Sequence, residues 1–196
     1  MSRYTGPKCR LCRREGAKLF IKGARCETEK CAFFRRPTTP GHTQSRGQLS
    51  GYGKHLREKQ KIKRTYGIME RQFRNYVIAA RKLKGDTGKF LLRLLETRLD
   101  NVINRLGLAF SRAHARQLIR SGKFMVNGVK VTIPSYAVAE GDIIKPEEKT
   151  IVLKEISSKW LAWDEKKKEA KVLRFPERED IDPEINEGLI VEFYSR

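Results

Sequence analysis

Residues 98–131, RLDNVINRLGLAFSRAHARQLIRSGKFMVNGVKV, decide the fold. Their first third continues a pattern begun upstream, in which Phe90, Leu91, Leu94, Leu95, Leu99, Val102, Ile103 and Leu106 recur with the spacing of a helix that has one apolar face. That periodicity predicts a long core helix ending near Gly107. Ser111 has the chemistry of an N-cap, a hydroxyl that accepts a hydrogen bond from a free N–H of the first turn, and it opens a second helix through Ser121 with Ala115, Leu118 and Ile119 inward. Phe124-Met125-Val126 and Val129-Lys130-Val131 flank Asn127-Gly128, the strongest short hairpin signal in the chain. Helix, helix and hairpin in that order place the chain in the α+β class.

On the C-terminal side, 136–138, 142–145 and 151–156 are further strand candidates. Residues 157–172 are ambiguous in pattern, a polar helix around Trp160, Trp163 and the lysines at 166–168 being one reading, and 183–196 offers a short turn followed by an apolar run at 189–194. On the N-terminal side, 53–84 reads as two helices divided near Gly67. The first carries Lys54, Arg57, Lys59, Lys61, Lys63 and Arg64; the second has an apolar stripe of Phe73, Tyr76, Val77 and Ala80. Residues 1–50 hold all four cysteines, five of the fifteen glycines and three of the seven prolines. Lacking sustained apolar periodicity, they need a metal, RNA or both to fold.

Charge narrows the function. The chain of 196 residues carries 43 Lys and Arg against 23 Asp and Glu, a net +20 at neutral pH. Self-repulsion of that size calls for a polyanion. Residues 1–95 hold 25 basic and 6 acidic side chains, 96–139 hold 7 and 2, and 140–196 hold 11 and 15. The front two-thirds therefore face the polyanion, whereas the acidic last third packs internally, faces solvent or meets a basic protein. No run approaches the 18 or so apolar residues of a membrane span, and the N-terminus lacks the apolar core of a secretory signal, so a soluble intracellular protein is expected.

Cys9-x2-Cys12 and Cys26-x4-Cys31 can bring four thiolates to one ion. Arg10, Arg13 and Arg14 beside the knuckle are expected to lower the thiol pKa values. Zinc is the first choice for a structural four-thiolate site, and a [4Fe-4S] cluster takes the same ligands. Four protein ligands leave no open position for catalysis.

Arg112, Arg116 and Arg120 fall at i, i+4 and i+8 and line one exposed stripe, continued by Lys123. Helical rise sets successive guanidinium groups about 6 Å apart, close to the phosphate spacing of a strand. Arginine's planar fork suits phosphate. No acidic residue occurs from Asn101 to Ala139, whereas a merely solvated face mixes signs. The block from Lys54 to Lys84 is similar, with only Glu58 and Glu70 among its bases; Tyr52, Tyr66, Phe73 and Tyr76 could stack on unpaired bases, although that spacing more often marks a core. Glu96 and Asp100, one turn apart, read as surface residues or local pairs, Glu96 with Arg93. No phosphate loop and no acid, base or nucleophile constellation appears, so no enzyme is expected.

Several strings together resemble one family: MSRYTGP (1–7), CRLCRREG (9–16), LREKQK (56–61), YGIMERQFRN (66–75), RLDNV (98–102), ARQLI (115–119), VNG (126–128), IPSY (133–136) and LIVEFYSR (189–196) are similar, in order, to bacterial small-subunit ribosomal protein S-four. The resemblance implies a metal-binding N-terminal segment (1–45), a discontinuous, mostly helical domain (46–94 plus 172–196) and an inserted RNA-binding domain (95–171) with a small antiparallel sheet. It also implies a structural role in the cytoplasmic ribosome. The protein would bind a multi-helix junction in the 5′ domain of small-subunit ribosomal RNA, nucleate assembly and contribute to translational accuracy. Implied neighbours are ribosomal protein S-five and, at the channel through which it enters, messenger RNA; here 44–48 leaves Arg46 as the only charge of the basic cluster for that contact. The cations expected on RNA are Arg3, Arg13, Arg14, Lys54, Arg57, Lys61, Arg64, Arg71, Arg74, Arg112, Arg116, Arg120 and Lys123. The expected metal ligands are Cys9, Cys12, Cys26 and Cys31.

Overall fold

The computed structural model describes residues 4–41, 48–147, 158–182 and 185–195. In chain order the helices and strands are α1 (Lys8–Glu15), α2 (Ala32–Arg35), α3 (Gly51–Thr65), α4 (Glu70–Arg81), α5 (Thr87–Glu96), α6 (Leu99–Arg105), α7 (Arg112–Arg120), β1 (Phe124–Val126), β2 (Val129–Lys130), β3 (Ile143–Pro146), β4 (Leu161–Asp164), β5 (Glu169–Val172) and α8 (Glu187–Ser195). The chain forms two compact units, one from 1–91 with 183–196 and one from 92–182, and the division falls inside α5.

The first unit is helical. The Ser50 hydroxyl caps α3 by accepting the Gly53 N–H at 3.2 Å, an N-cap interaction worth about 1 kcal/mol. The buried face of α3, with His55, Lys59 and Ile62, packs against α8. The apolar run at 189–194 is therefore a helix, and its return to α3 makes this unit discontinuous. His55 Nε2 lies 2.9 Å from a Glu192 carboxylate oxygen, and the Tyr52 and Phe193 rings lie 5.6 Å apart. Of the predicted stripe, Phe73, Val77 and Ala80 of α4 are buried and Tyr76 is half-buried.

The second unit places α6 and α7 on a five-stranded antiparallel sheet of order β2-β1-β3-β5-β4. Strand alternation sends Phe124, Val126, Ile144, Ala170 and Val172 inward, where they meet Leu99, Val102, Ile103, Leu106, Ala115, Ile119 and Trp160. The hairpin turn has Asn127 at φ 50° and Gly128 at φ 79°, the left-handed pair that a twisted two-residue turn requires. Ser111 caps α7, its hydroxyl accepting the His114 N–H at 3.3 Å.

Three sequence expectations change. The long helix through 90–106 is two helices, because the chain around Pro134 and Tyr136 competes for its backbone. Leu99 N–H donates to Tyr136 O (2.8 Å), Asp100 N–H to Pro134 O (3.1 Å) and Val138 N–H to Thr97 O (2.9 Å), which leaves Arg98 extended at ψ 135°. Residues 136–138 accordingly add no strand to the sheet; Ala137 makes an isolated bridge to Arg98. The ambiguous stretch around Trp160 and Trp163, for which a polar helix is one reading of the sequence, is the β4–β5 hairpin. The lysine run fills its turn, where the Asp164 carboxylate accepts the Lys166 and Lys167 N–H groups at 2.9 and 3.1 Å and the charges remain exposed. The 151–156 strand candidate lies outside the described residues.

Candidate nucleic-acid interface

The first turn of α6 organises the cations of the second unit. Glu96 and Asp100, read from sequence as surface groups, are 0% and 1% exposed. Asp100 receives a two-pronged contact from Arg98, Nε to Oδ1 at 3.0 Å and Nη2 to Oδ2 at 2.8 Å, and Oδ2 also accepts Arg116 Nε at 2.5 Å. Glu96 is held the same way by Arg105, at 3.2 and 2.9 Å, and its Oε2 accepts Asn101 Nδ2 at 2.7 Å. Asn101 Oδ1 in turn accepts Arg112 Nε at 2.8 Å. Arg93, the expected partner of Glu96, lies instead 3.3 Å from the Phe175 ring centroid. Buried carboxylates are tolerated when every oxygen is engaged, and the planar guanidinium fork does this best.

The stripe is therefore not the open row that helical spacing predicts. Arg112 and Arg116 are half-buried, each with its Nε turned toward the network, and only Arg120 of the three is exposed. Lys123 is ion-paired with Glu147. Sequence reasoning missed Glu96, Arg98, Asp100, Asn101 and Arg105 as parts of the site. The available signal was position: Glu96 and Asp100 are the last acids before a long cationic stretch, on the apolar side of a core helix.

In the first unit the cations also hold acids. Arg57 Nη1 lies 3.3 Å from Glu15 Oε1, and Arg64 donates to the same oxygen. Burial pushes the Glu15 carboxyl up, against the pull of Arg64, Arg57, Arg14 and Lys61. Lys61 pairs with Glu58 at 3.2 Å. Lys59 and Lys63 both lie 2.8 Å from Glu70. Burial works against ionisation of Glu70, but hydrogen bonds from Lys59, Lys63 and Tyr194 outweigh it and bring the carboxyl down to about 2. Arg13 donates Nε to Thr38 O at 2.8 Å. Arg14, Lys54, Arg71 and Arg74 are exposed; Arg3 and most of 44–48 lie outside the described residues. Tyr66 and Phe73 are 2% and 0% exposed, so they are core and not stacking surfaces.

Cys12, Cys26 and Cys31 are buried and Cys9 is half-buried. Burial pushes the Cys12 and Cys26 thiols up, and repulsion from the neighbouring thiols adds to the rise. At Cys12 of the knuckle, desolvation thus overturns the expected depression by Arg10, Arg13 and Arg14. The Lys22 N–H donates to Cys26 Sγ at 3.4 Å, a contact that suits a thiolate. Four cysteines, of which the Cys12 and Cys26 thiols are pushed up in part by neighbouring thiols, have the donor chemistry of a soft metal site. As placed, however, no group of three or more His, Cys, Asp or Glu side chains among the described residues is arranged to hold one.

A family model described as the ribosomal protein S4/S9 N-terminal domain matches residues 3–96, and one described as the S4 domain matches 97–144. The chain is 53% identical to the small ribosomal subunit protein uS4 of Dictyoglomus turgidum, 54% to that of Thermodesulfovibrio yellowstonii and 55% to that of Caldicellulosiruptor saccharolyticus, covering 100% of both chains in each case. The chain belongs to the uS4 family. Its relatives are ribosomal proteins and not enzymes, and the S4-domain match contains Asp100, Asn101, Arg112, Arg116 and Arg120 but not Glu96. No helix among the described residues is long and apolar enough to cross a membrane.

Proposed function

We propose that this protein is a structural constituent of the cytoplasmic small ribosomal subunit and binds small-subunit ribosomal RNA as a primary assembly protein. The observation that carries the reading is the network in which Asp100 and Asn101 hold Arg116 and Arg112 by Nε at the head of a stretch without acids from Asn101 to Ala139. Arginine side chains fixed by buried partners lose less entropy when a phosphate arrives. Arg120 and the exposed Lys54, Arg71 and Arg74 add phosphate contacts from open positions, and surface pairs such as Lys123–Glu147 exchange partners at little cost.

The RNA target in this reading is a multi-helix junction of the 5′ domain. Side chains cannot read the deep groove of A-form RNA, so shape and backbone contacts carry recognition. Binding there would nucleate assembly and bear on translational accuracy, next to ribosomal protein S-five and the channel through which messenger RNA enters. Cys9, Cys12, Cys26 and Cys31 would hold zinc, or a [4Fe-4S] cluster, which when bound supplies the crosslink that a core-poor segment lacks.

The test is binding of the full chain to a 5′-domain transcript across a salt series, with duplex DNA of equal charge as competitor. Affinity should fall roughly 10³–10⁵-fold between about 50 and 200 mM salt, as for a protein that neutralises about 6–10 phosphates. The transcript should outcompete the duplex. Preference for the duplex would remove the reading.

A further inference from the structure

Phe110 stands out among the exposed apolar side chains of the second unit. It sits immediately before the Ser111 cap of α7 and is 46% exposed, although it follows two fully buried residues, Leu108 and Ala109. Its ring lies against the His114 imidazole, with centroids 5.5 Å apart and planes 23° from parallel. The Phe110 N–H donates to His114 Nδ1 at 3.3 Å. That bond needs a lone pair on Nδ1, so it selects the tautomer with the proton on Nε2 and fixes the imidazole plane. The His114 N–H is itself held by the Ser111 hydroxyl. Two rings in near-parallel contact are thus locked to the first turn of one helix, with one of them open to water over almost half its surface.

An exposed phenyl ring costs solubility, and a core role does not explain it. Its setting does: Arg112 is two residues away, Arg116 and Arg120 follow on the same helix, and no acidic residue occurs from Asn101 to Ala139. A protein partner with an apolar patch would not require that the helix following the ring be free of acids and bear arginines, whereas an unpaired nucleobase brings a phosphate on either side. We infer that Phe110, backed by His114, is a stacking platform for one unpaired base of the RNA that binds this face. The inference rests on the RNA-binding reading and adds to it an interaction that is not electrostatic. Aromatic and imidazole faces receive splayed bases in this way, and each such stack contributes substantially to affinity.

The experiment uses the full chain and the 5′-domain transcript, with Phe110→Ala, Phe110→Leu and Phe110→Trp compared with the wild type at several salt concentrations. Phe110→Ala should weaken binding about 5- to 100-fold. Its salt dependence should match the wild type, since every phosphate-binding cation is still in place. Phe110→Leu, which keeps apolar bulk but has no π-face, should be as weak as Phe110→Ala; Phe110→Trp should bind like the wild type, and its added fluorescence should be quenched on complex formation. Because the side chain is exposed, all three should keep the wild-type circular dichroism. Wild-type affinity in Phe110→Leu would mean apolar docking and would overturn the platform, as would unquenched Phe110→Trp fluorescence. Should the wild type itself ignore the transcript, it is the RNA-binding reading that fails, a result distinct from equal binding by wild type and Phe110→Ala.

Discussion

Asp100 and Glu15 are both buried carboxylates contacted by two arginines, yet they are satisfied in opposite ways. Asp100 uses both oxygens, Oδ1 for Arg98 and Oδ2 for Arg98 and Arg116. Glu15 places Arg57 and Arg64 on Oε1 alone, while its buried Oε2 has no hydrogen-bond partner and its carboxyl is pushed up by burial. The first arrangement is a fixed mount for its arginines. The second is a soft one, in which burial and ion pairing oppose each other.

The contrast can be broken first at Asp100. Asp100→Ala removes the two-pronged carboxylate partner of Arg98, itself 3% exposed, and should cost about 3–5 kcal/mol in urea unfolding. An effect under about 1 kcal/mol would mean that the network is not a structural mount. Next comes Glu70→Gln, expected to cost about 1 kcal/mol near neutral pH because its ion pairs with Lys59 and Lys63 are partly solvent-screened. The Glu70 carboxyl lies below its ordinary value of 4.5, at about 2 in the folded state. Its contribution is therefore present above about pH 4.5 and lost as pH falls toward 2, so wild-type and variant stabilities should converge across that window.

Glu15 should behave in the opposite sense. A carboxyl raised in the folded state contributes stability that is complete below its unfolded value and lost as pH rises through the folded one. Glu15→Gln should thus change stability by less than about 1 kcal/mol at neutral pH, since Arg57 and Arg64 keep some solvent. Relative to the variant, the wild type should gain as pH falls, as followed by thermal melts from neutral to acidic pH. The smallest stability effect belongs to Arg120→Ala, within about 0.5 kcal/mol of wild type. Its mark should be a shallower salt dependence of RNA binding, by about 0.7–0.9 in logarithmic slope for one phosphate left without its arginine.

Much of this was legible in the sequence, because periodicity reports burial. The Phe73, Val77 and Ala80 stripe, the Ser111 cap and the Asn127-Gly128 turn each express a local rule that the structure follows. What could not be read depends on groups distant in sequence. The interruption at Thr97 and Arg98 exists because residues 134–138 take its backbone hydrogen bonds, and a helical apolar pattern runs through the break unchanged. The 161–172 hairpin is hidden because Trp160 and Trp163 mimic helical spacing, whereas the deciding interaction is that of the Asp164 carboxylate with the lysine turn. In the interface, arginine spacing identifies the helix but not its inward hydrogen bonds, because residue type alone puts the partner acids on the surface. The pKa direction expected for the Cys12 thiol fails for a similar reason: sequence proximity to arginine counts for less than desolvation.

The central claim is that Asp100 acts on RNA through Arg116. A double-mutant cycle on affinity for the 5′-domain transcript, with Asp100→Asn and Arg116→Ala alone and combined, tests it most directly in variants whose circular dichroism is unchanged. The account predicts that each single change weakens binding about tenfold and that the pair together is little worse than either, a coupling of about 1 kcal/mol or more. Losses that simply multiply would contradict it.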